Sequence, residues 1–161
     1  MVLLNSVGEE IDRLIGFNND GEAFVKKLKD YAAGKGVLVE LIKQYQSDSL
    51  DVNKNFALAK KYTTRKEWDN SVKYYRNVQK LDPNNKAGFG EESTFRIAVY
   101  EMWQDKKSEQ LETVIQNTKN KELLQVGFDE LYWFFNNKKD TLKIYETFEN
   151  AVAALPEDAD M

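Results

Sequence analysis

The sequence predicts a mainly α-helical protein built of antiparallel helix pairs, with a β-hairpin and one further helix at its N-terminus. Three observations point there. From Val37 onward, apolar residues recur at helical spacing almost without a break, the period of a helix with one buried face. The turns between these runs are short, so successive helices must fold back antiparallel. The chain's two prolines, Pro83 and Pro156, each close a helix pair. Lacking an amide donor, proline can end a helix but not continue it.

The elements follow in order. Val2-Leu3-Leu4 is a short apolar run, Ser6–Glu10 is turn-like with Gly8 at its flexible position, and Ile11–Gly16 resumes as a strand. An isolated two-stranded hairpin is marginal in water, so this one must pack on something. Phe24, Leu28 and Tyr31 mark a helix over Gly21–Ala32. Gly34 and Gly36 then break the chain, giving an expected boundary between residues 1–34 and 35–161. Val37, Leu38, Leu41, Ile42 and Tyr45 share the face of the next helix. Asp51 is placed to cap the one after it, which carries Phe56, Leu58, Ala59 and Tyr62. Helices are further expected from about Glu67 to the turn at Asp82-Pro83, then over about Glu91–Gln104, Ser108–Gln116, Lys121–Phe135 and Asp140–Ala154.

Composition narrows the chemistry. Nine Phe, eight Tyr and three Trp among 161 residues can fill a sizeable core. The formal charge is −4, with lysines scattered among acids rather than gathered in a basic stripe, so a nucleic-acid partner is not expected. There is no Cys and no His, which removes thiol redox chemistry, zinc fingers and the commonest general base near neutral pH. No catalytic residue, cofactor or metal is therefore expected. Asp51-x-Asn53-x-Asn55 begins like a calcium loop, but Phe56 stands where that loop needs glycine and Tyr62 where it needs glutamate. Gly88-Phe-Gly lacks the Lys-Ser/Thr of a phosphate loop. Glu9-Glu10, Glu91-Glu92 and Asp158/Asp160 read as solvated charge or helix-start acids. Apolar runs fall short of the ~20 residues of a spanning helix. Met1–Asn5 has no basic leader, so neither a membrane span nor a signal peptide is expected. The compartment is not legible.

The most specific pattern is an internal repeat. Leu58 and Leu131, Tyr62 and Phe135, Tyr75 and Phe148, and Pro83 and Pro156 are all separated by the same 73 residues. These units resemble tetratricopeptide repeats, whose period is about 34 residues. The first reads Asn55, Leu58-Ala59, Tyr62, Ser71, Tyr75, Pro83, and the last Phe128, Leu131-Tyr132, Phe135, Ile144, Phe148, Pro156. Tyr132 and Ile144 replace small residues, which implies a splayed last pair. Between these units only Ile97-Ala98 keeps the pattern, with Glu101 and Gln110 departing from it.

The resemblance implies a superhelix of helix pairs whose first helices line a concave groove for a protein or peptide. Carried over position by position, the groove would present Phe56, Lys60 and Thr63, then Phe95, Val99 and Met102, then Asp129, Trp133 and Asn136. Trp133 stands out because Leu131 and Phe135 already occupy the packing face. Packing between helices is the alternative use of the same ring.

The front segment carries a second resemblance. Val2–Asn5, the Gly8 turn, Ile11–Phe17 and Glu22–Leu28 look like the last hairpin and last helix of a thioredoxin domain, with Gly16, Phe24 and Leu28 as matching points. About the last third of that fold is represented; the paired cysteines would lie upstream of Met1. Three readings follow: an interaction scaffold, an inactive fragment of a thiol-disulfide oxidoreductase, or a structural module that self-associates through the hairpin edge.

Overall fold

A computed structural model describes residues 1–16 and 20–156 of the chain. Phe17, the last residue of the thioredoxin-like segment Ile11–Phe17, and Asp158 and Asp160 lie outside the described residues. The architecture is mainly helical with an N-terminal antiparallel hairpin, as expected. In chain order the elements are β1 (Val2–Leu4), β2 (Glu10–Arg13), α1 (Gly21–Ala32), α2 (Leu38–Ser47), α3 (Val52–Thr64), α4 (Trp68–Leu81), α5 (Gly90–Asp105), α6 (Glu109–Asn117), α7 (Lys121–Lys138) and α8 (Thr141–Ala154). None of the described helices is long and apolar enough to cross a membrane.

The chain divides into two compact units, Met1–Gly90 and Glu91–Met161. The division falls at Gly90 rather than at Gly34, because the hairpin and α1 are tied by side chains to α3.

In the first unit, β1 and β2 pair Val2 with Arg13, Leu3 with Asp12 and Leu4 with Glu10, with a bulge between Leu3 and Leu4. Asn5 closes the turn. Its Oδ1 accepts from the amides of Val7 and Glu9, and Gly8 takes φ +85°, a conformation that favours glycine. β2 starts one residue earlier than expected and ends before Leu14. α3 begins where Asp51 accepts from the amides of Asn53 and Lys54, the expected cap. Asn55, fully buried, donates to the carbonyls of Ser49 and Asp51 at 2.9 and 2.8 Å and so pins the loop before its own helix. α3 and α4 pack closely because Ala59 and Ser71 are small where they face each other; Ser71 Oγ donates to the Ala59 carbonyl at 3.1 Å. Leu58, Tyr75 and Val78 complete this core.

In the second unit, the core gathers Phe95, Ala98 and Met102 of α5, Leu111 and Ile115 of α6, and Leu123, Phe128, Leu131, Phe134 and Phe135 of α7. α7 packs against α8, less closely than α3 packs against α4 in the first unit. α5 instead reaches α7 through long side chains: Trp103 Nε1 donates to Glu130 at 2.8 Å, and its ring meets Phe134 edge-on. Gly127 makes room for this packing. A Cβ there would lie 2.7 Å from Ile115 Cδ1 and 3.1 Å from a Phe95 ring carbon.

The 73-residue offset recurs in the helices themselves. It separates Trp68–Leu81 from Thr141–Ala154 at both ends, and it relates Lys66 to Lys139. Those two lysines, with Lys106, each hold a left-handed backbone (φ 55–60°) in the turn inside a helix pair. A side chain in that region costs about 1–2 kcal/mol, against roughly 0.5–1 kcal/mol for the extra freedom of an unfolded glycine. Lys139→Gly is therefore expected to raise stability by about 0.5–1 kcal/mol, read as a higher urea midpoint. A lower midpoint would mean that the lysine side chain itself holds the turn.

Candidate functional site

Two features in separate units merit description as sites: a buried charge node and an exposed aromatic face. The node is built where β2 meets α3. Strand alternation puts Glu10 and Asp12 on one side of β2, and helical spacing puts Lys61 and Arg65 on one side of α3. Asp12 has no solvent exposure at all. Its Oδ1 accepts from Arg65 Nη1 at 2.7 Å, and its Oδ2 meets the Lys61 ammonium. Lys61 also donates to the Tyr31 hydroxyl at 2.7 Å, bringing α1 into the cluster. Arg65 also donates to Glu10 and Glu67, each at 2.7 Å, and Glu10 takes a second, two-pronged contact from Arg13. Burial opposes the charge on Arg65, but the hydrogen bonds it donates to Glu10, Asp12 and Glu67 outweigh that and raise its pKa.

The Arg13 hydrogen bond first, and that from Arg65 next, hold the Glu10 carboxyl down at about 2, against 4.5 when unperturbed. A depressed carboxylate stabilises the fold above its unfolded pKa, and that stabilisation is lost as pH falls through the folded value. Resistance to urea should thus stay level from neutrality to about pH 5 as far as Glu10 is concerned, then fall toward pH 2. Glu10→Gln should flatten that acid limb. An unchanged limb in the variant would count against the ion pair.

The node is chemically closed. Every charge faces a counter-charge, so it is suited to anchoring rather than to proton transfer. Sequence reasoning missed it, although two acids at i, i+2 on a strand and two bases at i, i+4 on a helix were there to be matched.

The nine residues expected to line a groove fare unequally. In the first unit, the Phe56 ring stacks on the chain's own Phe89 at 4.0 Å and meets Tyr75 edge-on, with Lys60 above it at 5.5 Å. Thr63 is engaged between α3 and α4, its hydroxyl 2.7 Å from Ser71 Oγ. In the second unit, Phe95 and Met102 are core residues without exposed surface, which corrects their placement in a groove. Val99 packs against the same cluster. Asp129, Trp133 and Asn136 do lie together on an exposed face of α7, and Trp133 is 57% exposed.

That face continues onto α8. The Tyr132 ring contacts Trp133 at 5.3 Å and Phe148 at 5.4 Å. Leu142, Tyr145, Phe148 and Val152 then run along one side of α8, all exposed. The repeat correspondence fails here in an informative way: Tyr75 is completely buried, whereas its counterpart Phe148 is 54% exposed. No family model, curated protein or solved structure matches the chain.

Proposed function

We propose that the chain is a protein-binding module of the tetratricopeptide type, and that its docking surface is the α7–α8 face centred on Trp133 and Phe148. The observation that carries this reading is the run of Tyr132, Trp133, Tyr145 and Phe148, with Leu142 and Val152, on the last helix pair. A helix face that stays in solvent is ordinarily polar. This one is aromatic, and large aromatics anchor protein interfaces more than any other residue type except arginine. The 73-residue correspondence and the chain's lack of Cys and His support the same reading.

Hot-spot aromatics typically contribute 2 kcal/mol or more, so Trp133→Ala with Phe148→Ala should weaken partner capture about 30-fold or further. The helical circular dichroism should be unchanged, because both rings are exposed. Capture from a peptide array that survives substitution of Phe56, Val99, Trp133 and Phe148 together would sink the proposal.

A second reading rests on β1, which pairs only with β2 among the described residues and exposes Val2 and Leu4. An unpaired edge of this kind invites another strand, from a second copy or from the rest of a thioredoxin-like domain. Sedimentation at high concentration tests the first source. A Cys-x-x-Cys encoded upstream of Met1 would favour the second and make the chain the non-catalytic part of an oxidoreductase.

A further inference from the structure

Cations stand over several of this chain's aromatic rings. Lys60 lies over Phe56, Arg96 over Phe95, Lys106 over Trp103, Lys138 over Phe134 and Lys143 over Phe135, at 4.2–6.0 Å from the ring centroids. The electron-rich face of a ring attracts positive charge, and tryptophan attracts it best. The exposed face of α7 and α8 differs. Among the described residues, no lysine or arginine lies over Tyr132, Trp133, Tyr145 or Phe148.

The 73-residue correspondence locates the difference. In the first unit, two positions one helical turn apart hold Phe56 and Lys60, a ring with its own cation. Their counterparts in the second unit are Asp129 and Trp133, both exposed. A carboxylate and an indole at that spacing both favour a cation, and neither supplies one. On α8 the arrangement recurs: Glu149, also exposed, accepts a hydrogen bond from the Tyr145 hydroxyl.

The other exposed side chains of this face add no base. They are Glu122, Gln125 and Asn136 on α7, with Leu142 and Val152 on α8. Acidic residues also outnumber basic ones across residues 91–161 as a whole. That field steers a cationic partner toward the unit and turns an acidic one away. Docking on the rings also dries the carboxylates beside them. A neutral or acidic partner would leave Asp129 and Glu149 without a counter-charge, a costly outcome that lysine or arginine removes.

We infer that the partner docked on this face is a cationic amphipathic protein segment. Its apolar side chains lie against Tyr132 and Phe148, and its lysine or arginine side chains meet Asp129, Glu149 and the Trp133 ring. The inference rests on the docking face proposed above and adds the sign of the partner's charge. Arginine suits the Trp133 position best, because a guanidinium can lie flat on the indole while donating to Asp129.

A fluorescent peptide of two Leu-Lys-Lys-Leu-Leu-Lys-Leu blocks is compared with the same peptide carrying glutamate for every lysine. The lysine peptide should bind the full chain saturably, at least about tenfold more tightly than the glutamate peptide. It should shift the ¹⁵N–H signals of Asp129, Glu149 and the Trp133 indole. Asp129→Asn with Glu149→Gln should weaken it at least about fivefold. Asp105→Asn with Glu109→Gln removes the same charge from exposed sites elsewhere in the unit, and should leave binding within about twofold. The inference is overturned if the lysine peptide does not saturate, if the glutamate peptide binds as tightly, or if both double variants weaken binding alike. Tight binding of the glutamate peptide that is lost on Trp133→Ala with Phe148→Ala would overturn it while leaving the docking face intact. Lysine-peptide binding indifferent to that ring pair would overturn both.

Discussion

Asp12→Ala should release the N-terminal hairpin from α3 and cost about 3–5 kcal/mol, the usual penalty for removing one partner of a buried ion pair. The loss is large because of what stays behind. Arg65 keeps Glu10 and Glu67, but Lys61 keeps Tyr31, whose hydroxyl and ring face carry no full negative charge to balance an ammonium in a site with almost no solvent. Lys61 must then either drag water in or leave, and in both cases β2 loses its attachment. Urea unfolding measures the cost, and hydrogen exchange at the amides of Ile11, Asp12 and Arg13 locates it. Adding Lys61→Met to Asp12→Ala should restore part of the stability, since the stranded charge is gone. A loss below about 1 kcal/mol with unchanged exchange would show that apolar contacts hold the hairpin instead.

Phe95→Ala is expected to destabilise the second unit by about 3–5 kcal/mol, the range for deleting a buried aromatic ring. The ring has no exposed surface and sits against the helix backbone at Gly127, a position that admits no side chain without displacing Ile115. Collapse into the vacated space is restricted, because Leu111, Ile115 and Phe128 already belong to the same packed cluster. Trp133→Ala gives the contrast: an exposed ring on the same unit should change stability by no more than about 0.5 kcal/mol. Thermal unfolding of the two variants separates core from surface directly. If Phe95→Ala were nearly neutral in stability yet abolished partner binding, the groove would have to be redrawn to include it.

The helices were legible because their signals are local. Asp51, Asn120 and Asp140 each accept from amides one turn ahead, and such caps sit next to the apolar run they introduce. α7 runs three residues past its expected end at Phe135, because Asn136–Lys138 stay helical until Lys139 turns left-handed. The misplacement of Phe95 and Met102 has a different origin. Periodicity fixes the angle of a residue around its own helix, but not which neighbouring helix claims that angle. In the α7–α8 pair the claimed angles are those of Leu131 and Phe135, as expected, and Trp133 is left outside. The charge node was illegible for a further reason. It joins residues 10–12 to residues 61–67, and single-sequence patterns carry no information on such distant pairings.

The way the hairpin is attached determines what calorimetry can see of it. Heat-capacity change on unfolding rises with apolar surface exposed and falls with polar surface exposed. An arm held by Asp12, Glu10, Lys61 and Arg65 therefore detaches with little thermal signature, and the measured transition reports the aromatic cores instead. The cost of drying those charges also shrinks on warming, because their hydration becomes less favourable. Heating should weaken the hairpin's anchor less than it weakens the helix packing to which that anchor is fastened.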